Sequence, residues 1–327
     1  MLEKAKMRKS LMWCADVPFR LMHMLLRKLR LEAWMHRMGW YTPRIAVLVD
    51  GGLGSQMWQF ALGYCSAKEH SMPFQLHLGF YRRSGKDLNG KDNRHFLLYE
   101  TFPAVRDMCE QNGEPSWFFR QLFRDRRKRK TYDFQTPVIP ENASVYLSQY
   151  YANARYIAPY RDELRVLFTM NPKLSPTDAS LLEEIRGCSS CFVHIRKGDY
   201  IGSSLDVCSD VYYANAMHEM ASGEQELVFF IFSNDEDYFP QYIAPLCVGL
   251  QYKIVRGSTE EDPRRDFYLM QACRHAIISN SGFSWMAAFL RHQPGVVMMP
   301  DYWNRSPERR ESSARAFHMP GWRQLSC

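Results

Sequence analysis

The stretch FVHIRKGDY, Phe192 to Tyr200, passes from an apolar segment directly into a cluster of charges. Its apolar residues up to Ile195 predict a buried strand, and Gly198 allows the backbone to turn after it. Arg196 and Lys197 follow the strand without a spacer, and an arginine can bind two phosphate oxygens at once. The stretch therefore predicts either an anion-binding site at a strand end or a solvated turn whose charges pair with one another.

Helices and strands alternate on both sides of this strand. Further strands are predicted at Leu227–Phe232, Tyr252–Val255, Ala276–Ser279 and Val296–Met299. Helices are predicted at 178–187, Asp210–Ala221, after Asp235, Pro263–Cys273 and Ser281–Arg291. This alternation is typical of a parallel, doubly wound α/β domain.

A second strand with a ligand-binding pattern lies in the first half of the chain. RIAVLVD, Arg44 to Asp50, predicts a strand, and GGLGSQ, Gly51 to Gln56, leads into a helix at Met57–His70. A strand, a glycine loop and a helix in this order bring backbone amides and a helix N-terminus to an anionic or sugar ligand. The spacing is neither GxGxxG nor a Walker loop, so a turn that only packs strand on helix is the alternative.

The charges and cysteines narrow the class of protein. Residues 1–44 contain ten Lys or Arg and three Asp or Glu, so this segment carries the whole net charge of +7 and the remainder is neutral. A neutral remainder does not favour a nucleic acid partner. The nine cysteines have no repeating spacing, which indicates free thiols in a reducing compartment, and the lone CxxC pair at Cys188 and Cys191 lacks a partner pair for zinc.

The basic N-terminal segment has apolar residues at helical spacing. A basic amphipathic helix on an anionic membrane surface is one interpretation, and a helix packed on the domain with its charges in water is the other. No signal peptide fits the start, and no uncharged run is long enough to span a bilayer. We therefore expect a cytoplasmic protein, peripheral on the inner face of the cytoplasmic membrane. A second basic, aromatic run lies at 117–130.

Three predicted strand ends in the second half carry polar groups at the edge where parallel sheets bind ligands. They are His194–Asp199, Ser233–Asp235 and Ser279–Ser281. Ser281 stands at the start of a predicted helix, where a hydroxyl caps free amides and the helix dipole favours phosphate. Together with Arg196, these groups predict a diphosphate site.

Several ordered blocks resemble the α-1,2-fucosyltransferases of glycosyltransferase family 11. The similar blocks are GGLGSQMWQFALGY (Gly51–Tyr64), VHIRKGDY (Val193–Tyr200), FSND (Phe232–Asp235) and DFYLMQACRHAIISNSGFSWMAAFL (Asp266–Leu290). The resemblance runs from about Arg44 to Trp303. Residues 1–43 fall outside it.

The resemblance implies a GT-B architecture, in which two Rossmann-like domains face a cleft. It divides the chain into a basic segment at 1–43, an acceptor-side α/β domain at 44–172 and a GDP-sugar-binding α/β domain at 173–327. The implied reaction is metal-independent, inverting transfer of L-fucose from GDP-β-L-fucose to O2 of a terminal β-galactoside. The implied acceptor is a surface glycan such as an O-antigen unit, which can be lipid-linked.

The same resemblance assigns roles to individual residues. Arg196 would hold the diphosphate and stabilise the GDP leaving group, and His194 and Asp266 would contact guanine. Arg196 and Asp199 are the expected catalytic residues. The expected donor-binding residues are Gly52, Gly54, Ser55, Gln56, His194, Lys197, Asp266, Ser279, Asn280, Ser281 and Ser284.

Two residues depart from the family pattern, and the general base stays open. Ser55 stands where the family usually has Asn, and Lys197 stands where it commonly has a second Arg, so bidentate geometry is lost there. The candidates for a base on the acceptor hydroxyl are Asp50, Asp199 and Asp206.

Two other functions fit parts of the sequence. Asp235 and Asp237 have the DxD form with which metal-dependent GT-A glycosyltransferases hold a divalent cation. A non-catalytic membrane-surface adaptor would instead use the basic, aromatic N-terminal third. Chelation distinguishes the first from a metal-independent enzyme, and selective binding of GDP distinguishes an enzyme from an adaptor.

Overall fold

The computed structural model describes residues 17–26, 30–83, 95–125, 139, 143–148, 151–224, 226–257, 259 and 262–327. The start of the basic N-terminal segment and the cations at 126–130 lie outside these residues. So does most of 80–94, whose Gly, Lys, Asp and Asn residues predict an exposed loop. Within the described residues, the predicted N-terminal helical segment is present as two helices, α1 (17–26) and α2 (Leu31–Arg37).

The first unit is built on a short parallel sheet. Strand β1 (Ile45–Leu48) lies between β2 (Phe74–His77) and β3 (Val145–Leu147), and Ile45 is in register with the first residue of both neighbours. The helices that follow in this unit are α3 (Leu53–Glu69), α4 (Gly79–Arg83), α5 (Leu98–Thr101), α6 (Pro103–Asn112), α7 (Trp117–Leu122), α8 (Ala154–Ile157) and α9 (Arg161–Leu167).

Two helices of this unit differ from the sequence prediction. Helix α3 begins at Leu53, four residues before Met57, so Gly54 to Gln56 form its first turn and not a loop. The sequence from Ala152 to Met170 predicts one helix, and the structure divides it into α8 and α9. The reason is Pro159, which lacks an amide hydrogen for the helical ladder and whose ring clashes with the preceding turn.

The second unit is a six-stranded parallel sheet in the order β6-β5-β4-β7-β8-β9. Its strands are β4 (Ser189–Ile195), β5 (Leu227–Ser233), β6 (Gln251–Ile254), β7 (His275–Ile277), β8 (Val297–Pro300) and β9 (Arg323–Leu325). Its helices are α10 (Pro176–Gly187), α11 (Asp210–Gly223), α12 (Arg264–Ala272), α13 (Gly282–Leu290) and α14 (Pro307–Phe317). The sequence did not predict α14 and β9.

Two α/β units, each on a parallel sheet, confirm the predicted GT-B-like fold class. The domain boundary between 172 and 173 falls between α9 and α10, and its position stays a prediction. All eight cysteines in the described ranges are free thiols. Of the helices in the described part of the chain, none is both long enough and apolar enough to cross a membrane.

The two units are joined by α3 packing on α13. The indole rings of Trp58 and Trp285 are fully buried, with their centroids 4.5 Å apart. At the other end of α13, Arg161 Nε of α9 donates to the carbonyl of Phe289 at 2.6 Å, and Arg165 donates to the carbonyl of Arg291. The first unit therefore holds α13 at both ends.

In each sheet, one strand has later strands of the chain on both of its sides. In the first sheet this strand is β1, with β2 and β3 on either side, and in the second it is β4, flanked by β5 and β7. Open parallel sheets bind ligands in the crevice at the carboxyl ends of such strands. The glycine segment follows β1 and the charged stretch follows β4, so both sequence motifs lie at these points.

Candidate active site

The first turns of α3 and α13 meet at Gly54. A Cβ atom on Gly54 would lie 2.5 Å from the backbone nitrogen of Phe283, closer than side-chain carbons approach such atoms. Gly51, which precedes the helix, has φ +74°, and Gly52 is the extended residue before α3. The glycines are therefore required by a turn and by contact between two helix starts.

This contact places two helix N-termini side by side. Each N-terminus carries free amides and a positive partial charge, which favour an anion. The hydroxyl of Ser281 accepts from the amide of Phe283 at 3.3 Å and so caps α13. The C-terminal end of α13 carries the negative partial charge of the helix dipole. Arg161 and Arg165 of α9 donate to carbonyl groups at that end and so compensate this charge.

Arg196, at the end of β4, is held by a two-point ion pair with Asp199. Its Nε and Nη2 lie 2.9 Å from the two carboxylate oxygens of Asp199. The guanidinium also lies 5.5 Å from the ring centroid of Tyr200. Gly198 has φ +28°, and a Cβ there would come 2.5 Å from the Asn234 amide. Asp199, expected to be catalytic, is thus the partner that orients Arg196.

Lys197, which was expected to bind the donor, is buried and paired within the protein. Its side chain is buried, and its Nζ donates to Asp206 at 3.0 Å and to the carbonyl of Cys208 at 2.8 Å. The ammonium also lies 5.1 Å from the ring centroid of Tyr238. Lys197 therefore fixes the segment that follows the motif, and it pairs with Asp206, one of the three candidate general bases.

His194 joins a buried chain of polar groups between β4 and α13. Its Nδ1 lies 2.9 Å from Ser279 Oγ, which is 3.4 Å from Ser284 Oγ. Burial, reinforced by the charge of Arg196, lowers the pKa of His194 to about 3. A neutral imidazole, which can both donate and accept a hydrogen bond, is therefore held at the crevice.

The lowered pKa of His194 predicts acid sensitivity. Between about pH 6.5 and pH 3, His194 binds a proton in the unfolded chain but not in the folded chain. The stability that neutral His194 contributes is therefore complete above about pH 6.5 and is lost as the pH falls towards 3. Urea unfolding should show the advantage of wild type over His194→Gln shrinking by about 1.4 kcal/mol per pH unit below that point. Parallel pH profiles for the two proteins would contradict this assignment.

Gln56 has its hydrogen-bonding capacity satisfied within the protein. Its Nε2 donates to the carbonyls of Gly51 and His95, at 3.1 and 2.8 Å, and its Oε1 accepts from the amides of Leu97 and Leu98, each at 3.0 Å. The side chain is completely buried. Gln56 was expected to bind the donor, and it instead ties the start of α3 to the segment at 95–98. Ser55 beside it is only partly buried.

Asn280 also has a structural position. Its Nδ2 donates to the carbonyl of Leu205 at 2.8 Å and to that of Trp303 at 3.2 Å, and its Oδ1 lies 3.7 Å from Cys208 Sγ. The side chain is buried. Asn280 therefore anchors two loops to the end of β7, although the sequence placed it among the donor contacts.

Asp266 lies in the first turn of α12, where a carboxylate complements the helix dipole. It is buried and accepts from Arg265 Nη1 at 3.1 Å. The neighbouring ring of Phe267 has its centroid 5.4 Å from that of Phe283, which in turn is 5.7 Å from the His194 ring. Phe283 thus lies between His194 and Phe267, the residue that follows Asp266. Sequence reasoning missed Phe283, and the only signal was an aromatic residue directly after the helix start.

Asp50 is the remaining candidate base. Its Oδ1 accepts from Gln59 Nε2 at 2.6 Å, and its amide donates to the same side chain at 2.8 Å. Burial raises the pKa of the Asp50 carboxyl. A raised carboxyl pKa suits proton transfer near neutral pH, and Asp199 and Asp206 are both paired with cations.

The Asp235 to Asp237 run forms a turn after β5. The amide of Asp235 donates to Ser233 Oγ at 3.1 Å, and Glu236 accepts from Arg256 at 3.2 Å and from the amide of Gly257 at 2.6 Å. Within the ranges that the structure describes, no group of three or more His, Cys, Asp or Glu side chains is arranged to hold a metal ion.

Helix N-termini and an arginine gather at the carboxyl ends of β1 and β4, where open parallel sheets bind anionic ligands. The sequence profile of glycosyl transferase family 11 matches residues 117–326, which is more than half of the chain. The chain belongs to this family and is a glycosyltransferase.

Two curated relatives from Escherichia coli align over most of the chain. An α-1,2-colitosyltransferase is 26% identical over 287 residues, covering 79% of this chain and 92% of the relative. The O-antigen biosynthesis glycosyltransferase WbnK is 25% identical over 287 residues, covering 78% and 93%. Among solved structures, the fucosyltransferase NodZ from Bradyrhizobium aligns with a TM-score of 0.44 at 14% identity, covering 79% of this chain and 96% of that one.

Proposed function

We propose that this glycosyltransferase transfers L-fucose from GDP-β-L-fucose to O2 of a terminal β-galactoside, with inversion at the anomeric carbon. The observation that carries the proposal is Arg196, oriented by Asp199 at the carboxyl end of β4. The neighbouring strand β7 leads into α13, whose N-terminus packs on that of α3. The α-1,2 linkage is also the one named for the colitosyltransferase relative.

The reaction needs stabilisation of a leaving diphosphate. As O2 of the acceptor attacks the anomeric carbon, the bond from that carbon to the β-phosphate oxygen breaks and negative charge grows on GDP. The Arg196 guanidinium and the helix amides are fixed before the reaction, so they stabilise this charge without reorganising. The proton of the acceptor hydroxyl passes to a general base, and Asp50 is the candidate with a raised pKa.

Guanine selection is assigned to His194 and Asp266. A carboxylate can accept from the N1 and N2 hydrogens of guanine, and the neutral imidazole of His194 can supply a further hydrogen bond. Ser279 and Ser284 belong to the same polar chain as His194, and we assign them to the phosphates. We propose that no metal ion takes part, because the guanidinium and the helix N-termini supply the positive charge.

A second candidate donor is a GDP-linked colitose. Colitose is L-fucose without the 3-hydroxyl group. The E. coli relative that aligns over 79% of this chain is named for the transfer of colitose. Both donors require the same nucleotide contacts, so the assignment of Arg196, His194 and Asp266 does not depend on this choice.

A donor screen with product analysis tests the proposal. The purified enzyme is supplied with GDP-fucose, GDP-colitose or UDP-galactose and a methyl β-galactoside, with and without EDTA, and the linkage is determined by NMR. We expect transfer of fucose to O2, unchanged by EDTA, and none to a 2-deoxygalactoside. Faster transfer of colitose would favour the second candidate. Loss of activity on chelation would favour a metal site at Asp235 and Asp237, and absence of turnover with every donor would favour the adaptor.

A further inference from the structure

Helices α1, α2 and α7, with the short segment after α2, expose large apolar side chains that globular proteins usually bury. Each of these side chains is about half exposed or more, and Trp40 reaches 65%. An exposed apolar surface of this kind marks an interaction site. Its exposed members are Leu21, Met24, Leu25, Trp34, Met38, Trp40, Trp117 and Phe118.

The three helices form one continuous surface. The ring of Phe19 on α1 packs edge-on against Trp117 and Phe118 of α7, at centroid distances of 5.5 and 5.9 Å. Between the helices lies a cavity of about 530 Å³, within the size range of sites that bind small ligands or chains. Its walls are largely apolar and include Met22, Leu26, Met35, Phe118, Phe119 and Leu122.

Positive charge surrounds this α1–α2–α7 surface. Arg20, Arg30 and Arg37 are exposed on or beside its helices. The carboxylate of Glu32 is buried and accepts from the amide of Ser144 at 2.6 Å, so it is directed into the protein. Glu114, which also lines the cavity, is paired with Arg82. The surface thus combines tryptophan and aliphatic side chains with an excess of arginine.

We propose that the α1–α2–α7 surface docks on an anionic lipid bilayer, as the inner face of the cytoplasmic membrane provides. Tryptophan and leucine side chains favour the boundary between head groups and acyl chains, and arginines bind anionic head groups. The cavity gives a hydrocarbon chain an apolar space beside the inserted residues. A second copy of this chain would place arginines against arginines, so charge complementarity favours the bilayer as the occupant.

This surface belongs to the first unit, the predicted acceptor side. An acceptor carried on a lipid would therefore lie in the same membrane plane as the docked enzyme and would reach the first unit from that plane. The docking itself rests on the surface residues alone and does not depend on the transfer reaction, so binding and catalysis can be tested separately.

Vesicle co-sedimentation of the full chain tests the proposal. We expect binding to vesicles that mix phosphatidylcholine with phosphatidylglycerol, weak binding to phosphatidylcholine alone, and release at high salt. Replacing Trp117 and Phe118 together by serine should lower the partition coefficient by at least about tenfold, because two half-exposed aromatic anchors are lost. Replacing the exposed Leu246 and Val248 of the second unit by serine is the matched control and should leave binding unchanged.

Two outcomes would overturn the proposal. One is equal partitioning of wild type and the Trp117→Ser, Phe118→Ser protein, with both proteins shown to be folded by thermal unfolding. The other is a dimer detected by light scattering that this double substitution dissociates, which would make a second copy the occupant. Activity on a soluble β-galactoside should be retained in the double variant, since the substituted side chains lie outside the proposed site.

Discussion

The Arg196→Ala enzyme is expected to lose about 10²- to 10³-fold in kcat, the usual effect of removing one preorganised donor from a developing anion. The guanidinium is aimed by Asp199 at the carboxyl end of β4, and alanine leaves the GDP leaving group without that charge. Stability should change little, because Asp199 is 43% exposed and partly exposed ion pairs contribute about 0–1 kcal/mol. Steady-state kinetics with GDP-fucose, together with thermal unfolding, measures both effects.

The matched control is Arg256→Ala. Arg256 follows β6 at the same edge of the sheet and is also paired with a carboxylate, that of Glu236, but it lies away from the crevice between β4 and β7. Its loss should leave kcat near the wild-type value. Arg196→Lys should recover only part of the activity, because a lysine keeps the charge and loses the bidentate fork. Wild-type turnover in Arg196→Ala would disprove the assignment of this residue to the diphosphate.

Gly54→Ala should lower activity nearly as much as Arg196→Ala does, through a steric effect. The added methyl group would lie 2.5 Å from the backbone nitrogen of Phe283 and 2.7 Å from its Cα, so α3 and α13 must move apart. Overpacking of this kind costs about 1–3 kcal/mol of stability. A displacement of about 1 Å at the helix starts should also lower kcat/KM by about 100-fold, since the groups that bind the donor are no longer in register.

Gly187→Ala tests whether the effect depends on position. Gly187 ends α10, its φ is not in the left-handed region, and a Cβ there meets no atom within 4 Å. This variant should keep both the activity and the thermal stability of wild type. If Gly54→Ala also kept both, the close contact between the two helix starts would not be a requirement of the enzyme.

The sequence was sufficient for the fold and for the grouping of polar side chains at one edge of the second sheet. Continuous apolar runs ending at Ile195 and Phe232 predict buried parallel strands, and these become β4 and β5 with residue-for-residue pairing. The carboxyl ends of such strands meet at one edge, so His194 and Ser279 could be placed together before their 2.9 Å contact was known.

The same patterns could not separate ligand contacts from structural ones. Gln56, Lys197 and Asn280 are polar residues beside the motifs, and each is satisfied by the protein itself. Three of the four hydrogen-bond partners of Gln56 lie about 40 residues further along the chain. Hydrogen bonds to such distant backbone groups leave no periodicity or spacing in the sequence, so only the folded structure reveals them.

The role of Gly54 was hidden for a related reason. The glycine segment predicts a turn or an anion site from its local pattern, whereas the atom that requires the missing side chain belongs to Phe283, more than two hundred residues away. The backbone of Phe283 in the second unit limits the size of the residue at position 54 in the first unit. A single sequence shows the glycine but not the contact that requires it.

The attachment of α13 at both ends has a consequence for turnover. Parting the two sheets would separate its start from Gly54, break the hydrogen bonds of Arg161 and Arg165, and expose Trp58 and Trp285 to water. The exposure of two indoles alone costs several kcal/mol. Opening of the two units at this contact is therefore disfavoured, and we expect the mouth of the proposed site to keep its width during turnover. Release of the product then depends on movements of side chains and loops at the rim of the proposed site.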